Sequence, residues 1–315
     1  HMKKKRLALS LTLIFLVFMG CSKEKEAVKI KTLKFAIESG FYSNFHPVED
    51  HLISLIPLIR TLYSTLFILD SKLEPHPFLV DRYIQQGKEV TFFLKKNIKF
   101  SNGEAITSED VVWSIEGAIS YNLSPNLAYK IIEGGEELFS GKTEHCSGIK
   151  ILSKSSFLIK FKYRNANFGH YLSLPNASIL PKNWTRNTNV FSGPYQLVKE
   201  EAQKNVTVVT LAKNPHYTGK SANIDKLYFC FYGDKQNFDR AIKEGHPDLF
   251  VYNYSFDFPE SNYPYSYFKT PSQGYFLFML NPKKGVFKSN KMRMFFNHFI
   301  FSLDLIEKEN WENAS

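Results

Sequence analysis

The 315-residue chain offers few groupings that could carry out covalent chemistry. Adjacent carboxylates occur at Glu109-Asp110 and Glu136-Glu137, but neighbours on a helix do not face one another and cannot share a reacting atom. No GxSxG, GxGxxG, Walker-type phosphate loop, HExxH or CxxC spacing occurs, so neither an activated serine nor a metal-ligand pair is spelled out. The nine histidines are scattered, and His145-Cys146 reads as part of a solvated polar loop. Of the three cysteines, Cys230 lies in an apolar alternating run and Cys146 in a polar stretch. That contrast argues against a disulfide between them, although an oxidising compartment would permit one. The expectation is a protein that is not an enzyme and needs no cofactor or metal.

Cys21 has a different setting. Met2 reads as the natural first residue and His1 as an addition. Lys3, Lys4, Lys5 and Arg6 form a basic head, and a mostly apolar stretch from Leu7 follows, unbroken from Leu13 to Met19. This is the pattern of a secretory signal. It is too short to cross a bilayer comfortably, which takes about 20 apolar residues. Phe18-Met19-Gly20-Cys21 resembles the lipobox of bacterial lipoproteins, in which the cysteine is acylated with diacylglycerol and the peptide is cut before it. Phe18 stands where that family usually has Leu. The resemblance implies a signal peptide over 1–20, lipidation at Cys21 and a polar tether over 21–32.

Forty basic and 30 acidic side chains fall to 36 against 30 once the signal, with its four basic residues, is set aside. The surplus is spread along the chain, with no basic block of the kind that binds nucleic acid. Twenty-nine Phe and an aromatic share of 16% supply ample material for a core, so the chain is expected to fold.

The elements that must position any site can be read from periodicity. Leu33, Phe35 and Ile37 alternate as a strand. Leu52, Leu55, Ile56 and Ile59 have helical spacing within 51–69, with Pro57 marking a start or a break. Val90, Phe92 and Leu94, then Ile98 and Phe100, read as strand, turn and strand, and Phe157 to Tyr163 and Leu227 to Phe231 as further strands. Thr107 with Asp110 three residues later opens a helix whose apolar face is Val111, Val112, Ile115, Ala118 and Ile119. Phe238, Ala241 and Ile242 form a short helix stopped at Gly245. Met292 to Ile306 fits a long amphipathic helix. The mixture predicts an α/β or mixed α+β fold with more than one lobe.

The order of short blocks is the most specific signal. Leu62-Tyr63-Ser64-Thr65-Leu66, Pro77-Phe78-Leu79-Val80, Val90 to Leu94, Ile98-Lys99-Phe100-Ser101-Asn102-Gly103 and Ile106 to Ser114 follow one another. Gly148-Ile149-Lys150, Ser192-Gly193-Pro194-Tyr195, Asn214-Pro215-His216-Tyr217, Ile224 to Leu227, Gly245 with Asp248, Phe278 to Asn281 and Phe287 to Arg293 continue the series. Together they resemble the oligopeptide- and dipeptide-binding lipoproteins of ABC transporters, family 5 of the extracytoplasmic solute-binding proteins. Each block is also framework chemistry, such as turn, cap or bend, and a fold does not by itself carry a function.

The resemblance implies a periplasmic-binding-protein-like two-lobe fold of the large peptide-binding type. Residues 33–70 and 173–270 would form the first lobe, 71–172 a small subdomain, and 271–315 the start of an incomplete second lobe. Family members are longer, and Phe301-Ser302 stands where they commonly have Asp-Arg. It implies capture of an oligopeptide or dipeptide between the lobes by a monomer anchored in the cell envelope, and delivery to a membrane permease. By alignment, ligand-lining positions fall on His51, Ile53, Tyr129, Tyr252, Asn253, Gly274 and Tyr275. The competing expectation is a truncated or degenerate paralogue acting as a non-transporting envelope or surface protein.

Overall fold

The computed structural model describes residues 31–38, 45–47, 55–120, 131–165, 167–185, 187–220, 223–250, 289 and 291–292. The chain divides into two compact units, His1–Tyr263 and Pro264–Ser315. In the second, the amide of Met292 donates to Ser289 Oγ at 3.5 Å. The remainder of the expected helix 292–306 lies outside the described residues.

The first unit holds two sheets, each with its own core. The larger has the order β11-β1-β10-β9-β8. Strand β1 (Thr32–Glu38) runs parallel to both β10 (Lys226–Tyr232) and β11 (Leu249–Phe250), while β9 (Val206–Lys213) is antiparallel to β10 and to β8 (Tyr195–Ala202). Phe35, Ile37, Leu227, Phe229, Val209 and Leu211 form one core with Leu58, Ile59 and Leu62 of helix α1 (Ile56–Leu62). Across the opposite face lies α5 (Lys235–Lys243), which caps itself through Asp234 and buries Phe238, Ala241 and Ile242. β1 is therefore covered on both sides, and Phe35, Ala36 and Ile37 are buried consecutively instead of alternating. Central strands flanked by parallel neighbours behave this way.

The second core runs from Leu66 to Ile179. Strands β2 (Phe67–Leu69) and β3 (Pro75–Pro77) pair as a small ladder. β4 (Val80–Gln86), β5 (Glu89–Leu94), β7 (Ser156–Lys160) and β6 (Ile149–Ser153) form an antiparallel sheet in the order β4-β5-β7-β6. Val90, Phe92, Phe157 and Ile159 share one face of this sheet. Beneath them lies α2 (Ser108–Ser120), whose Val111, Val112, Ile115, Ala118 and Ile119 are all buried as their spacing predicts. Phe92 stacks on Phe157 with ring centres 5.0 Å apart, and Phe168 meets Phe92 edge-on. Phe168 belongs to the short helix α4 (Phe168–Tyr171), which follows α3 (Gly135–Phe139) in the chain.

Three expected elements differ from the structure. Helix α1 starts at Ile56 with Pro57 in its first turn, where proline is tolerated, but it ends at Leu62 and Phe67–Leu69 is a strand. Ile98 and Phe100 are buried without forming a strand; a single bridge joins Lys99 to Ala105. Tyr163 lies beyond the end of β7 and is exposed. Ile98 and Phe100 thus supply core contacts without adopting the regular element their spacing favours, because burial constrains side chains more than it constrains backbone hydrogen bonding.

Candidate functional site

In an open sheet with parallel strands, ligands gather at the carboxyl ends of the strands. Here that edge is formed by Glu38 of β1, Tyr232 of β10 and Phe250 of β11. The parallel pairing aligns Glu38 with Tyr232 and Ala36 with Phe250, so the chain leaves β1 and β11 at one edge of the sheet. Residues 39–54 and those from 251 onward are the segments that carry His51, Ile53, Tyr252 and Asn253. All seven alignment-derived positions, His51, Ile53, Tyr129, Tyr252, Asn253, Gly274 and Tyr275, lie outside the described residues, as does Cys21.

The described part of the edge is polar over an aromatic base. Tyr232 and Phe250 each meet Phe238 of α5 edge-on, with centres 6.0 and 6.3 Å apart. Burial raises the pKa of Glu38; the Lys235 ammonium opposes the shift and the Asp239 carboxylate adds to it. Lys235 Nζ and Asp239 Oδ2, one helical turn apart, form an ion pair at 2.6 Å. Asp234 accepts the Asn237 amide through Oδ1 at 2.8 Å and its side-chain amide through Oδ2 at 2.6 Å. Those bonds hold its carboxyl below the ordinary range. The group is suited to orienting charged or hydrogen-bonding partners. Periodicity missed Glu38 because it reads as the first residue of the polar run Glu38-Ser39-Gly40; in the structure it is the last residue of β1.

Between β1 and His51 the chain is pinned at residues 45–47. His46 is buried with its ring 4.6 Å from that of Trp184, and Phe45 packs against the first core. Among the described residues, no group of three or more His, Cys, Asp or Glu side chains could hold a metal. No described helix is long and apolar enough to cross a membrane.

Cys146 and Cys230 are free thiols. The solvated-loop reading of His145-Cys146 fails at Cys146, which is buried. Its amide donates to Glu116 Oε1 at 2.8 Å, and its thiol donates to the Glu133 carbonyl at 3.1 Å. Burial pushes the thiol up to about 11.

The quoted sequence blocks converge on the passages between the two cores. The chain enters the second core near Ser64 and leaves it near Ile179. Ile179 N–H donates to the Ser64 carbonyl at 2.8 Å. Ser192 Oγ accepts from Ser64 N–H at 3.0 Å and donates to the Ile179 carbonyl at 2.6 Å, while Ser64 Oγ donates to the Ser192 carbonyl at 2.8 Å. Gly193 N–H donates to the Leu62 carbonyl, and Asn214 Nδ2 donates to the Gly193 carbonyl, each at 2.8 Å. The same pattern joins Asp110 Oδ1 to the Lys182 amide at 2.8 Å.

This mixed α/β architecture is that of the large peptide-binding two-lobe proteins: the structure of the Escherichia coli murein tripeptide-binding protein MppA superposes with a TM-score of 0.61 at 20% identity, covering 71% of this chain and 46% of that one. Residues 74–300 match the family described as bacterial extracellular solute-binding proteins, family 5 Middle, and the chain belongs to that family. The periplasmic oligopeptide-binding protein OppA of Salmonella typhimurium is 26% identical over 196 residues, 56% of this chain and 35% of its own length. The oligopeptide-binding protein OppA of Bacillus subtilis is 26% identical over 244 residues, 70% and 44% respectively. The chain thus spans less than half the length of these relatives.

Proposed function

We propose that this chain is the solute-binding component of a peptide ABC transporter. It captures oligopeptides or dipeptides between two lobes outside the cytoplasm and hands them to a membrane permease. Cys21 carries the lipid that keeps it at the membrane, and the protein acts as a monomer and performs no catalysis. The family match over 74–300, with relatives named for oligopeptide and dipeptide binding, carries this reading. In it, residues 33–70 and 173–270 form the first lobe around the 71–172 subdomain, and 271–315 begin the second. The strand ends at Glu38 and Phe250 then feed the segments that line the cleft through His51, Ile53, Tyr252 and Asn253, with Tyr129, Gly274 and Tyr275 completing the lining.

Such a receptor needs affinity without strict sequence preference. Burial and main-chain hydrogen bonds provide that when two lobes close on a ligand. Calorimetric titration of the full chain with a mixed pool of di- to pentapeptides is expected to give saturable binding, weakened by Tyr252→Ala with Asn253→Ala. A sample that is folded by circular dichroism yet binds no peptide would overturn the reading and leave the non-transporting envelope protein in its place.

A further inference from the structure

The two edges of the larger sheet differ in charge. The edge opposite Glu38 is where β1 and β10 begin, where β9 ends, and where the chain returns from α5 to β11. Lys31, Lys34, Lys213, Lys220, Lys226 and Lys243 lie along it. Its acids are engaged locally. Asp225 accepts the Lys31 amide at 2.9 Å and Lys213 Nζ at 2.7 Å, and Asp248 accepts the Lys34 amide at 2.7 Å. Glu244 pairs with His246 at 3.4 Å. Among the described residues no ion pair engages the ammonium groups of Lys34, Lys220, Lys226 or Lys243, while the charge of Lys31 acts on Asp225. At the opposite edge, Glu38, Glu201, Asp234 and Asp239 accompany Lys204 and Lys235, and Lys235 is held by Asp239.

The chain also enters the fold at the basic edge. Ten peptide units join Cys21 to Lys31, about 35 Å when fully extended and about 18 Å as a flexible coil. A lipid at Cys21 therefore holds this edge, before any other part of the sheet, close to the bilayer. Lysines gathered near an anionic surface are attracted to it within about a Debye length.

We propose that the basic edge of the larger sheet is a docking surface for anionic lipid headgroups. It rests on the membrane that anchors the chain and turns the Glu38 edge toward the aqueous side from which solute arrives. The inference depends on the lipid-anchored reading of Cys21. It is tested with the full lipidated chain added to vesicles of phosphatidylcholine, alone or mixed with phosphatidylglycerol. Exposed lysines are acetylated with a membrane-impermeant reagent and the rate at each site is followed by mass spectrometry.

On the anionic vesicles, modification of Lys31, Lys220 and Lys243 is expected to slow about five-fold or more relative to Lys204 at the turn of the β8–β9 hairpin. The difference should vanish at about 0.5 M salt and be absent on phosphatidylcholine alone. Flotation with the anionic vesicles but equal rates at both edges would overturn the docking surface and leave the anchor standing. Failure to float even with phosphatidylcholine would overturn the anchor, and the docking surface with it.

Discussion

His145 is almost wholly exposed, yet its Nδ1 lies 3.1 Å from Glu116 Oε2, while the other oxygen of that carboxylate takes the Cys146 amide. One side chain of α2 thereby ties down the loop that inserts Cys146 into the second core. The hydrogen bond and charge of Glu116 raise the His145 pKa. A group whose folded pKa lies above its unfolded value contributes stability that is fully present below the unfolded value, about 6.5 for histidine. That contribution is lost as pH rises through the raised folded value. Exchange of the Cys146 amide should accelerate over that window, and Glu116→Gln should return His145 toward its ordinary titration. A His145 NMR titration that is unshifted in the native chain would contradict this coupling.

Helix α2 shows how an element's end can serve two purposes. Asp110 Oδ2 accepts both the Thr107 amide at 2.8 Å and its hydroxyl at 2.7 Å, closing the first turn. Its other oxygen accepts Lys182 N–H on the segment that returns to the first core. Ser114, one turn on, accepts the Leu180 amide at 2.9 Å. Replacing Asp110 with Ala removes the cap and strands a part-buried amide, a loss of about 1–3 kcal/mol. Asn, which keeps one acceptor, should cost less. Urea denaturation checks both, and an Ala variant as stable as the parent would show that the carboxylate is not the tie it appears in the geometry. The Thr107–Asp110 spacing announces the cap; nothing local announces Lys182, 72 residues away.

The two cores are joined where Ser64, Ile179, Ser192 and Gly193 meet. A Cβ on Gly193 would lie 2.5 Å from the Leu62 carbonyl carbon and 2.7 Å from the carbonyl oxygens of Leu62 and Thr61. Only a residue without a side chain lets these backbones approach. Gly193→Ala must therefore push the junction apart, and overpacking of this kind typically costs about 1–3 kcal/mol. Because the junction serves both cores, a single transition at lower urea concentration is expected by tryptophan fluorescence and by far-ultraviolet circular dichroism alike. A variant with an unchanged midpoint would mean that the junction yields freely.

Sequence alone determined the family, through blocks whose order survives across the chain, and it determined the local elements whose signals are local. The α2 cap and apolar face, the alternation of β5 and β10 and the Gly245 stop are short-range patterns. A single turn or strand expresses such a pattern without reference to the rest. The tertiary structure decided what depends on distant partners. It paired β1 in parallel with β10 and β11, so that Phe35, Ala36 and Ile37 are buried on both faces. It drew Cys146 out of a polar stretch into the core, and made Glu38 the end of a strand at the edge from which the proposed ligand-lining segments depart. Periodicity records which residues face inward from one element. Burial on a second face, charge at a sheet edge and a carboxylate shared between segments arise only when elements far apart in the chain are brought together.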